Sequence, residues 1–316
     1  MIKIEKMLKP PDWSKSQVNR WADFIELQCL CDKDHLMSKD DVFDIFNDSG
    51  LEDLSKGEAD HSAKYDKLIT FIGNYYEIID YRQSTHTEYY PFNVEDGQCI
   101  SLKSELTEKH THYIFLLLCS SIYFLDNTTM QKITHAFEKY CHPIMKILVP
   151  VDAQTELFGT TREASLFKGN LRKRIEQLAE CLGTTTTKSM DRDDYYDRVN
   201  AGDDGLDIVS FLKLDNASHI PFALAQCTCS YDEWVNKQKS IDSASWRARF
   251  DSLAPFWEFM YVPFFYRNAS GRFEQSTKVY TCLIDRERIL NILELHNELF
   301  HELEFLNIEN LIEEIM

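Results

Sequence analysis

Several signatures are missing from these 316 residues, and each absence removes a class of protein. No cysteine pair is spaced C-x-x-C, and the nine cysteines are odd in number and irregular in spacing, so a disulfide framework is not expected. They read as reduced thiols of a cytoplasmic protein, serving mostly as small buried apolar groups. Cys29 with Cys31 and Cys227 with Cys229 are the only close pairs, and that spacing suits zinc poorly. Residues 1 to 10 are polar and rich in lysine, which is not the pattern of a secretory segment. The greasiest run, residues 113 to 125, is 13 residues long. A bilayer needs about 20, so this run is expected to be a buried core helix and no membrane association is expected. There is no G-x-x-x-x-G-K-[ST] loop and no G-x-S-x-G elbow, which argues against a P-loop ATPase and a serine hydrolase. Asp32-Lys33-Asp34 lacks the glycine and glutamate of a calcium loop, and His110-x-His112 lacks partner ligands nearby. Positive charge is scarce: 34 Lys and Arg against 52 Asp and Glu leave a net charge of −18. The field of such a chain repels phosphate, so any contact with DNA has to come from a local basic face.

What is present reads as an α+β chain of two domains, a mainly helical one over residues 1 to 155 and an α/β one over residues 156 to 316. In the first, apolar residues at helical spacing (Val18, Trp21, Phe24, Ile25, Leu27, Leu30) predict a helix over residues 13 to 31. Further helices are expected over 40 to 47, 67 to 81 and 128 to 140, the last ended by Pro143. This domain would sense or bind a partner. Residues 150 to 161 read as a linker. Beyond them a helix is expected over 167 to 182, with Leu171, Ile175, Leu178 and Leu182 on one stripe and Gly183 closing it. Residues 246 to 257 also look helical, and 259 to 265 and 279 to 284 look like strands. From residue 285 to 316 the pattern is helical again, with Asp285 as cap. Residues 289 to 316 hold seven glutamates and no lysine or arginine along the stripe Ile292, Leu295, Leu299, Leu303, Leu306. An acidic amphipathic helix of this kind packs on its own domain or docks a protein partner, a second copy included.

The chemistry concentrates in two short apolar runs, 206 to 214 and 221 to 229, joined by the turn Asp215-Asn216-Ala217-Ser218. A hairpin centred near that turn sets position 207 opposite position 226. Asp207, after the turn Gly202-Asp203-Asp204-Gly205, stands at the mouth of one strand, and Gln226 stands at the end of the other. Asp207 is suited to ligate a hard cation, with Asp203 and Asp204 as turn residues. Gln226, among Phe222, Ala223, Leu224 and Ala225, must be hydrogen-bonded or bound to something, and the Cys227 carbonyl offers a further oxygen. Glu176, on the preceding helix, is a third candidate ligand if it points over the sheet. Lys168, Arg172, Lys173 and Arg174, with Arg162 upstream, form the best candidate for a phosphate-contacting face on a chain this acidic.

Gly-Asp-x-Gly-x-Asp, followed on the next strand by Gln-x-Thr, resembles the PD-(D/E)XK nuclease superfamily, in particular its Mrr-like restriction branch. The resemblance covers about residues 167 to 239, under a third of the chain, and its motifs are short. It implies a restriction-endonuclease-like α/β domain with a small mixed sheet. It also implies a DNA endonuclease of a restriction or anti-phage system using Mg2+ or Mn2+, with Asp207, Gln226 and Glu176 as the site acids and amide. Thr228 stands where the family carries its lysine. Three explanations follow: a lysine from elsewhere (Lys213, Lys237 or Lys239) serves in its place, the metal suffices alone at a slower rate, or the domain no longer cuts and acts as a binding subunit.

Overall fold

The computed structural model describes residues 10–11, 18–48, 61–159, 165–198, 202 and 204–315. The chain is α+β, and it divides into two compact units that interleave in sequence. One comprises Met1–Ile133, Pro263–Glu274 and Asn307–Met316, the other Thr134–Val262 and Gln275–Leu306. A cut between residues 155 and 156 therefore falls within the second unit. Residues 13 to 17, Arg162 and Asp203 lie outside the described residues.

In the first unit run α1 (Val18–Cys31), β1 (Leu36–Ser38), α2 (Lys39–Asp48), α3 (His61–Thr85), β2 (Phe92–Glu95), β3 (Cys99–Leu102) and α4 (Glu108–Ser120). The three strands form an antiparallel sheet in the order β1-β3-β2, which the helical reading did not foresee. Its hairpin loop spans the three residues 96 to 98, with Asp96 and Gly97 both at positive φ (49° and 63°). The strands are too short for their alternation to show. The apolar run of residues 113 to 125 is a buried helix as expected, α4 followed by a 3-10 turn. Among the described residues no helix is long and apolar enough to cross a membrane.

Between these helices lies a buried ionic network. Arg82, fully buried on α3, donates to Asp23 Oδ1 at 2.8 Å and pairs with Glu26 Oε1 at 2.9 Å, both on α1. The phenols of Tyr90 and Tyr113 donate to Glu26 at 3.0 and 3.1 Å. Burial pulls the Arg82 guanidinium toward deprotonation, but the two carboxylates outweigh it and hold the charge firmly on. Removing one partner from such a buried group leaves an uncompensated charge, which costs about 3–5 kcal/mol.

The second unit takes the larger part of α5 (Asn127–Leu148), then β4 (Gln154–Leu157), α6 (Leu171–Cys181), α7 (Lys188–Asp191), β5 (Ile208–Phe211), β6 (Phe222–Cys227), α8 (Trp234–Lys237), α9 (Ser243–Arg247), β7 (Trp257–Tyr261), β8 (Cys282–Ile284), α10 (Arg286–Leu295) and α11 (Glu298–Leu303). Five strands make one mixed sheet in sequence order, antiparallel from β4 to β6 and parallel from β6 to β8. Ile175, Leu178 and Leu182 form one buried cluster with Val209, Phe211, Leu224, Ile241 and Trp246, which seats α6 on the sheet. Each such side chain contributes about 1.5–3 kcal/mol on burial. Gly183 ends this helix region at φ 66°, where a Cβ would stand 2.5 Å from the Ala217 carbonyl.

Four expectations are corrected here. Pro143 sits inside α5 and does not end it, because Cys141, Ile144 and Met145 around it are fully buried and that packing offsets the lost hydrogen bond. The expected linker at 150 to 161 contains β4, an edge strand whose polar residues hide it. Residues 246 to 257 are helical only through Arg247, and Trp257 opens β7. The acidic tail is not one helix: Asp285 does cap α10, accepting from Arg288 N, but the chain breaks at His296-Asn297 and again at Asn307, whose φ is 47°. Leu299 and Leu303 are buried, and the last helix, α12 (Ile308–Ile315), packs on α4 within the first unit.

His112 on α4 is buried, and its desolvation pushes the imidazole pKa down to about 4 from an ordinary 6.5. The unfolded chain then binds the proton first as pH falls. Stability is full above about pH 6.5 and is expected to drop by about 1.4 kcal/mol per pH unit from there toward pH 4. Urea denaturation at pH 7 and pH 5 should show this slope, and His112→Gln should flatten it; an unchanged slope in the variant would refute the assignment.

Candidate functional site

The register of β5 and β6 pairs Ile208 with Ala225 and Phe211 with Phe222, which is the register expected from the turn, and Asp207 and Gln226 each follow directly on the last pair. Asp207 holds β6 on both sides of Gln226: its N–H donates to Ala225 O at 3.0 Å, and its carboxylate Oδ2 accepts from Cys227 N at 2.8 Å. Asp207 is 4 % exposed and Gln226 6 %. A carboxylate so enclosed is tolerable only with hydrogen bonds of this kind. Cys227, expected to add a carbonyl oxygen, meets Asp207 through its N–H. Beneath it, Cys141 on α5 hydrogen-bonds Cys227, and burial pushes the Cys141 thiol up, away from thiolate chemistry.

Thr228, at the position where the resemblance calls for lysine, is buried, and its hydroxyl is met by a lysine. Lys237 Nζ, on the short α8 that follows β6, lies 3.2 Å from Thr228 Oγ1. The same ammonium is 3.5 Å from Glu233 Oε2, one helical turn back. Of the three lysines considered, Lys213 is exposed beyond the far end of β5 and Lys239 is exposed past α8, so only Lys237 is placed at this strand end.

The turn that delivers Asp207 is pinned from two sides. Asp204, at φ 55°, accepts from Tyr195 OH at 2.8 Å and is ion-paired to Arg249, which lies over the Trp246 ring. It acts as a turn residue, as the sequence suggested. Gly205, at φ 75°, lies against Ser240, whose Cβ would be 2.6 Å from any Cβ placed there. Ser240 in turn hydrogen-bonds the Gln226 amide. No motif pointed to Ser240, because its partner is 14 residues away and only the return of the chain after α8 brings them together.

Other expected residues are not brought to this place. Glu176 is exposed on α6, on the side away from the Leu171, Ile175 and Leu178 stripe that packs on the sheet. Arg172 is occupied with Asp197 at 2.9 Å and with the carbonyls of Met190 and Asp193. Arg174 is buried, donating to Phe158 O at 3.0 Å and to Gly202 O. Lys168 and Lys173 alone of the four present exposed cations. Among the described residues no three His, Cys, Asp or Glu side chains converge as a metal site. A hard cation here would rely on Asp207, the Gln226 oxygen, substrate oxygens and water, a ligand set that magnesium accepts. Comparison with protein-family models, curated proteins and solved structures finds no match to this chain.

Gly205→Ala is expected to cost about 2–4 kcal/mol, from the positive φ and the contact with Ser240 together, and to displace Asp207. Thermal unfolding measures the first part. A variant as stable as the parent would show that the turn is not held as described.

Proposed function

We propose that the second unit is a metal-dependent endonuclease domain of restriction-endonuclease-like type, hydrolysing DNA phosphodiester bonds in a cytoplasmic restriction or anti-phage setting. The observation that carries this reading is Lys237 at Thr228: the positive charge that the strand lacks is supplied at the same strand end by a neighbouring helix. Asp207 and Gln226 would hold Mg2+ or Mn2+, which when bound polarises the phosphate and lowers the pKa of a water. Asp207 keeps its carboxylate aligned through Cys227 N. Lys237 turns one ammonium hydrogen to Thr228 and lies 3.5 Å from Glu233, which leaves a third hydrogen to orient a water or meet a phosphate oxygen. With net charge −18, DNA approach would rest on Lys237 with the exposed Lys168 and Lys173 rather than on the whole-molecule field.

A second reading has its own support. Arg172 and Arg174 are spent inside the protein and Glu176 faces away, which favours a nuclease-like subunit that binds a protein partner and does not cut.

Purified protein incubated with plasmid and linear DNA in magnesium or manganese separates the two. The parent is expected to cleave, Asp207→Ala to be inactive, and Lys237→Met to be slower by about a hundredfold. Equal background from all three would remove the cleavage reading and leave the binding subunit.

A further inference from the structure

The hydroxyl of Ser240 is surrounded by more acceptors than it can serve. Lys237 O lies 2.7 Å from Ser240 Oγ, Gly205 O lies at 3.5 Å, and one end of the Gln226 amide is in short contact. A serine hydroxyl has one hydrogen. Lys237 O, three residues back in the same turn, is well placed to take it. The segment cannot swing to relieve the crowding, because Trp246 Nε1 donates to Ser240 O at 2.6 Å and Gly205 packs against the Ser240 Cβ. An amide oxygen on Oγ would then meet it lone pair to lone pair. An amide NH2 in the same place donates to it and satisfies both groups. The two ends of a glutamine amide have nearly the same shape, so the hydrogen-bond network decides which is which.

We infer that Gln226 is held with its NH2 on Ser240 and its carbonyl oxygen toward the Gly205 to Asp207 turn, and that Ser240 is the positioning residue that sets this direction. The consequence concerns the kind of ligand the site takes. An NH2 turned to the Gly205 side is a donor and repels a cation. A carbonyl oxygen there offers a hard divalent cation a second protein oxygen besides the Asp207 carboxylate. The Ser240 hydroxyl also ties the Gln226 amide to the backbone of Lys237, so the residue that orients the amide stands on the segment that carries the ammonium. The inference rests on the reading of this site as a metal centre, and its test has one arm free of metal.

In the metal arm, Mn2+ binding is measured by calorimetry for the parent, Ser240→Ala, Gln226→Glu, the double variant and Asp207→Asn. Ser240→Ala is expected to weaken Mn2+ by about tenfold in the parent, as loss of a supporting hydrogen bond commonly does. In the Gln226→Glu background it should have almost no effect, because a carboxylate has no wrong end. An equal loss in both backgrounds would make Ser240 a structural residue only and overturn the inference. In the metal-free arm, selective 13C,15N-glutamine labelling reads the Gln226 side chain by NMR. Ser240→Ala is expected to move one of its NH2 protons upfield; an unmoved NH2 with a shifted side-chain carbonyl carbon would overturn the orientation. If the parent binds no Mn2+, the metal reading fails by itself, and the NMR arm still decides which way the amide points.

Discussion

The second unit depends on one hydrogen bond, from the backbone N–H of Cys227 to the carboxylate of Asp207. A strand pair has a side-chain period of two, so a slip of one residue would reverse every side chain on β6. It would take Leu224 out of the cluster under α6 and set the smaller Ala223 there, while both faces of β6 stay buried. Asp207 prevents that by bonding both neighbours of Gln226. In doing so it also gains what a buried carboxylate needs, a donor in place of water. The alternation then follows: Gln226 turns to Ser240, Cys227 to Cys141, and Thr228 to Lys237. Register, burial and the candidate chemistry are one arrangement, and none of them can be changed alone.

The two units stabilise buried arginines by different means. In the first, Arg82 is met by two carboxylates, of which Glu26 also accepts from two phenols, a buried charge network that ties α3 to α1. In the second, Arg174 is satisfied largely by backbone carbonyls, one of them at the turn before Asp207. A planar guanidinium suits both tasks, since its donors diverge in a fixed fork. Arg174 and Arg249 therefore act as struts for the glycine-rich turn, and their charge is not available at the surface.

How much of this was legible in the sequence depended on the range of the interaction. The hairpin register could be read because one short turn and two apolar runs define it locally. So could the helix stripe through Leu178, the closure at Gly183 and the cap at Asp285. The same stripe already implied that Glu176 faces away, since it lies well off the line of Ile175 and Leu178. The three-stranded sheet was not legible from periodicity, although Asp96-Gly97 is a hairpin signal in its own right. Pro143 misled because local helix breaking was outweighed by burial at Ile144 and Met145. The fate of Arg172 was beyond local reading, as its partner Asp197 lies 25 residues on and joins it only when the chain returns. Lys237 was one of three lysines until the short helix after β6 turned it back.

The outer strands of the five-stranded sheet are short, and their outward carbonyls are taken. His142 lies 2.9 Å from Thr155 O and Ser165 donates to Leu157 O on β4, while Arg288 donates to Leu283 O on β8. An edge treated in this way offers little to an incoming strand. An incoming strand would find these three acceptors already committed. Backbone pairing at these edges would have to break side-chain bonds first, which tilts the surface away from indiscriminate strand addition and toward contacts where shape and charge select the partner.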